Sequence, residues 1–85
     1  MMKINIYDTH VKTKAGERLH FDVLVDETHE ARVKEFSEKY LLSLGINLAQ
    51  IDTKSCQFCH SEIARPKVQS IIKQHGHYVL PLSGF

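Results

Sequence analysis

Eighty-five residues with 11 Lys and Arg against 10 Asp and Glu, and a net charge of +1, set narrow bounds. A chain this short makes one domain, residues 1–85, with a thin core, and its 42% hydrophobic content is too high for a disordered segment. Scattered charges without a basic run argue against nucleic acid as a partner. The lack of a signal-like N-terminus and of any stretch of about 18 apolar residues argues against export and a membrane partner. The expected compartment is the reducing cytoplasm, where Cys56 and Cys59 stay thiols.

Lys3 to Lys12 reads as a strand in which Ile4 and Ile6 alternate with Asn5 and Tyr7. Arg18 to Asp26 reads as a second, with Leu19, Phe21, Val23 and Val25 on one face and His20, Asp22, Leu24 and Asp26 on the other. Lys14-Ala15-Gly16 between them suits a three-residue hairpin loop whose glycine takes positive φ. That loop fixes the register. Thr13 faces Glu17, Val11 pairs with Leu19, His10 with His20, Thr9 with Phe21 and Asp8 with Asp22. Asp8, His10, His20 and Asp22 then share one face, with Ile6 and Leu24 below them, and a loop one residue shorter would scatter the group.

Thr28 to Leu44 has the spacing of a helix, with Val33, Phe36, Tyr40, Leu41 and Leu44 in its stripe. Asp26 or Thr28 is its expected cap and Gly45 its stop. Ile46 to Ser55 reads as a connection anchored by Leu48 and Ile51, and Ser55 to Ser61 as a short strand or a turn. Pro66 opens a second helix over Arg65 to His75, ended by Gly76, and His77 to Leu80 forms a last strand limited by Pro81. The C-terminal Pro81–Phe85 segment is expected to fold back on the sheet or to reach a partner. The predicted fold is α+β, in β-β-α-β-α-β order, with a mixed sheet and two helices on one face.

Tyr7-Asp8-Thr9, His20-Phe21-Asp22, Cys56-Gln57-Phe58-Cys59-His60 and Gly76-His77-Tyr78-Val79 together resemble a small bacterial family, the domain of unknown function family 2024. The likeness spans nearly the whole chain and is most specific at the Cys-x-Phe-Cys-His segment. It implies a fold and a bacterial cytosolic setting, and no mechanism.

The Cys-x-x-Cys-His segment admits four readings. Covalent haem attachment uses this string but belongs with export and a larger pocket. Zinc can take two thiolates and an imidazole, here Cys56, Cys59, His60 and a remote histidine such as His20. In a regular strand, however, Cys56, Phe58 and His60 would face one way and Cys59 the other. Thiol redox chemistry would draw on a helix N-terminus just downstream. Finally, free cysteine is often simply a small buried hydrophobe.

The leading expectation is a site on Cys56, Cys59, His60 and His20, binding a transition metal such as zinc, with Asp8, His10 and Asp22 as neighbouring candidates. The alternatives are a nucleophilic or redox cysteine protein and a non-catalytic module that meets a protein partner, or a second copy of itself, through a sheet edge. The residues leave open whether the protein is an enzyme.

Overall fold

The computed structural model describes residues 2–83. Strands β1 (Lys3–Thr13) and β2 (Arg18–Val25) form the predicted hairpin. Gly16 sits at φ +91°, its N–H donates to Thr13 O at 3.0 Å, and Thr13 N–H donates to Glu17 O at 2.9 Å. The register follows: Val11 opposes Leu19, His10 opposes His20, Thr9 opposes Phe21 and Asp8 opposes Asp22.

The next segment begins as a 3-10 helix, Glu27–Arg32, before α1 (Val33–Ser43). Asp26 occupies the cap position, but its carboxylate bonds no backbone N–H there; it accepts from Thr28 Oγ1 at 2.8 Å and His29 Nδ1 at 2.6 Å. The cap expected of Asp26 or Thr28 is therefore a side-chain cluster instead. At the other end Gly45 N–H donates to Leu42 O and Ile46 N–H to Leu41 O, each at 3.0 Å, with Gly45 at φ +82°. This Schellman turn drives Ile46 onto Leu41 in the core. Ile46, not the expected Leu48, is thus the buried anchor, and Leu48 stays exposed.

The third strand is longer than the sequence suggests. After a 3-10 turn, Leu48–Gln50, β3 runs through Ile51–Ile63 and takes in the whole cysteine segment. Pro66 starts α2 (Pro66–His75), closed by Gly76 at φ +84°. Strand β4 (Tyr78–Ser83) continues through Pro81, which an edge strand tolerates because it offers an unpaired side. Of the C-terminal segment, Gly84 and Phe85 lie outside the described residues.

The sheet order is β3-β1-β2-β4 and every pairing is antiparallel, so the expected mixed sheet is corrected to an antiparallel one. The helices also divide between the faces rather than sharing one. Helix α1 packs Val33, Phe36 and Leu41 on Val11, Leu19, Phe21, Val23 and Val25. Helix α2 packs Ile72, with Val68, on Ile4, Ile6 and Leu24, residues of the opposite strand parity. Both faces carry apolar residues, and each needs its own cover. Burying Phe21 or Phe36 contributes about 1.5–3 kcal/mol each. The α2 cluster stops at Ile6 and Leu24, so the α2 side of the sheet towards the hairpin loop keeps its polar side chains.

Candidate functional site

The uncovered part of that face is where the hairpin register matters. Asp8 pairs with Asp22 and His10 with His20 across the strands, so all four side chains rise from one side of β1 and β2. His10 Nε2–H donates to Asp8 Oδ2 at 2.9 Å, and His20 Nε2–H donates to Asp8 Oδ1. The two imidazoles stack, with centroids 4.1 Å apart and planes 13° from parallel. One carboxylate thus holds two rings side by side. Donor atoms of Asp8, His10 and His20 lie within 4.8 Å of one another, the one such group of three or more His, Cys, Asp or Glu among the described residues.

The electrostatics separate the two aspartates. The hydrogen bond from His20, with that from His10, holds Asp8 below the usual carboxylate range against the opposing effect of burial. Burial pushes Asp22 up, and the Asp8 charge beside it pushes in the same direction. The charges of His20 and, after it, His60 act in the opposite direction and partly offset this. Beside the cluster lies a shallow groove of about 440 Å³, lined by His10, Lys12, Arg18, His20, Ser55 and Ser83 among others. It carries cationic and hydroxyl groups.

The cysteine segment is arranged differently from the regular strand considered above. Phe58 opposes Tyr7 and His60 opposes Ile6, so Cys59 is the extra residue of a β-bulge. The bulge turns His60 to the α2 side, while Cys56 and Phe58, opposite Thr9 and Tyr7, remain on the α1 side. Cys56 is half-buried and its Sγ accepts from Thr9 Oγ1 at 3.2 Å. Cys59 is exposed, with Sγ 3.2 Å from His60 Nδ1. The set Cys56, Cys59, His60 and His20 is therefore not brought together: Cys56 lies under α1, and His20 sits in the Asp8 cluster. The expected convergence of a cysteine and His60 with His20 and Asp22 is not formed: His60 stands opposite Ile6 and bonds Glu62 instead. Nor do the thiols sit at a helix N-terminus, because both are inside β3 and α2 begins only at Pro66.

Two residues that the sequence reading leaves aside prove relevant. Glu62 Oε1 lies 2.8 Å from His60 Nε2, and the His-x-Glu spacing on a strand is the signal that places both on one side. Lys54 opposes Val11 on the α1 side of the sheet. Its Nζ is buried without a hydrogen-bond partner among the described residues, 3.9 Å from Glu38 Oε1. Burial lowers its pKa despite that carboxylate.

Fold and site define a small α+β domain: an antiparallel four-stranded sheet with one helix on each face and a histidine–aspartate cluster on its open part. The chain belongs to the family described as Domain of unknown function (DUF2024), matched over residues 2–82. It is similar to protein NE1680 from the bacterium Nitrosomonas europaea, whose NMR structure it matches with 38% identity over 96% of each chain and a TM-score of 0.78. No curated protein matches the chain. No helix among the described residues is long and apolar enough to cross a membrane.

Proposed function

We propose that this protein binds a divalent transition-metal ion, such as zinc, through Asp8, His10 and His20 on the open part of the α2 side. The carrying observation is that two imidazole Nε2 atoms converge on one carboxylate. Imidazole and carboxylate together suit zinc and its first-row neighbours. A ligating imidazole offers a lone pair, so binding replaces the two N–H bonds to Asp8 and moves each remaining ring proton to Nδ1. Asp8 then changes from hydrogen-bond acceptor to ligand, and Asp22 is next in line on the same face. The side facing the groove stays open to water or to an added ligand. The thiols take no part in this ligand set, which replaces the one centred on Cys56 and Cys59.

Zinc titration followed by the side-chain NMR signals of His10 and His20 tests the reading. Saturable movement of both rings is expected, abolished in His20→Ala and kept in a Cys56→Ser, Cys59→Ser double variant. Rings that ignore zinc, or a response that vanishes with the cysteines instead, would overturn it.

A second reading rests on the edge. Strand β3 is an outer strand of 13 residues with Phe58 and Ile63 exposed, 55% and 54%. Long edge strands with apolar side chains pair readily with another strand. We infer that β3 forms a homodimer edge in solution. Light scattering that gives a monomer at high concentration would remove this option.

A further inference from the structure

We propose that Cys59 is a nucleophilic thiol that exchanges with small disulfides, with His60 accepting its proton and Glu62 orienting the imidazole. The site is separate from the Asp8 cluster, and its geometry begins with the bulge. As the extra residue between the Phe58–Tyr7 and His60–Ile6 pairs, Cys59 has no residue of β1 opposite it. Strand β3 is an edge strand, so no strand among the described residues lies on its other side. The sulfur is accordingly exposed, with His60 Nδ1 at 3.2 Å.

The ring is held from its far side. His60 Nε2 lies 2.8 Å from Glu62 Oε1, and a carboxylate there selects the tautomer with hydrogen on Nε2. That leaves the Nδ1 lone pair facing the thiol hydrogen. A nucleophile, a base within hydrogen-bond reach and a third group orienting the base are the recurring parts of an activated nucleophile. All three come from four residues of one bulged strand, Cys59 to Glu62, and bulges re-aim side chains in this way. The other thiol is a built-in contrast. Cys56 is half-buried, takes a hydroxyl hydrogen bond from Thr9 and, among the described residues, shares no hydrogen bond with an imidazole.

The step balances without an external oxidant. His60 takes the thiol proton, and the Cys59 sulfur attacks one sulfur of a disulfide RSSR. A Cys59–S–S–R bond forms, the original S–S bond breaks, and the departing RS⁻ takes the proton from His60 as RSH. Attack by a second thiol reverses the modification.

The experiment exposes the full chain to oxidised glutathione at pH 7, in the presence of a chelator, and follows adducts by peptide mass mapping. Glutathione is expected on Cys59 well before Cys56. His60→Ala is expected to slow the Cys59 adduct by roughly tenfold or more, and added imidazole to restore part of the rate. Glu62→Gln should slow it by a smaller factor. Equal labelling of both cysteines, or a Cys59 rate indifferent to His60→Ala, would overturn the proposal. Loss of rate in His60→Ala without rescue by imidazole would assign His60 a structural role and reject it as the base.

Discussion

Asp8 and Asp22 stand opposite each other across the β1–β2 pair, yet their proton affinities diverge: Asp8 is held down and Asp22 is pushed up. Two imidazoles feed hydrogen bonds to Asp8, leaving Asp22 as the carboxyl that must ionise beside an existing charge. Linkage gives the pair opposite pH dependences. The contribution of Asp8 is complete above the ordinary value of 3.8 and is lost as pH falls through its lowered value. That of Asp22 is complete below 3.8 and is lost as pH rises through its raised value. Asp22→Asn offers Asp8 an amide N–H donor in place of a second carboxylate and removes the second charge. It should stabilise the protein at pH 7 by about 0.5 kcal/mol after solvent screening, roughly 2–4 °C in Tm. Asp8→Asn should destabilise it. Thermal unfolding at pH 7 checks both signs, and equal effects would contradict the asymmetry.

The buried Lys54 ammonium leads to a second expectation. Among the described residues its Nζ has no hydrogen-bond partner, and Glu38 at 3.9 Å is a distant compensation. Lys54→Met keeps the stem against α1 and removes the cost of burying a charge that a distant carboxylate compensates only weakly. The substitution should raise stability by about 1 kcal/mol, measured by urea denaturation. A loss of similar size would mean that the ammonium makes an interaction stronger than this geometry provides.

The hairpin was readable because its turn is chemically specific. Gly16 fixes the loop length, and loop length fixes which side chains share a face, so the Asp8, His10, His20 and Asp22 group could be drawn before the fold was known. The two-sided core had a signal as well: Ile4, Ile6 and Leu24 fall on the polar parity of their strands and need a separate cover. That α2 supplies this cover could not be read, because an amphipathic helix does not encode which sheet face it meets. The bulge was hidden for a different reason. Cys59 is an extra residue only relative to β1, and the β1–β3 register arises from a long-range pairing with no local turn to set it. Without that register, the direction of His60 comes out reversed.

Two helix-ending glycines offer a matched comparison. Gly45 and Gly76 have nearly the same backbone, φ +82° and +84°, but different surroundings. An added Cβ at Gly45 meets nothing within 4 Å, whereas at Gly76 it meets the His29 ring at 3.1 Å and Phe36 at 3.3 Å. Gly45→Ala should cost only the left-handed backbone penalty, about 1–2 kcal/mol. Gly76→Ala adds the displacement of two packed rings and should cost about 1 kcal/mol more. Denaturation midpoints at constant slope compare them, and equal losses would show that the ring contacts yield freely.

His77 gives the fold a pH dependence of its own. Its ring stacks on Phe36 at 4.1 Å and 11°, and Nδ1–H donates to the His75 carbonyl at 3.2 Å. Burial lowers its pKa, and the nearby positive charges of Lys39, His75 and Arg32 act in the same direction, against the raising effect of the carbonyl bond. The unfolded chain therefore takes up a proton more readily than the folded one. The His77 contribution is fully present above the ordinary value of 6.5 and is lost as pH falls through the lowered one. Wild-type stability should decline as pH drops below about 6.5. His77→Phe keeps an aromatic ring against Phe36 and has no proton to bind, so it should flatten this decline while leaving stability at pH 8 within about 1 kcal/mol. Urea denaturation of both proteins between pH 5 and 8 makes the comparison, in a range where most carboxylates are already ionised. Parallel curves would mean that the proton uptake responsible belongs to another histidine.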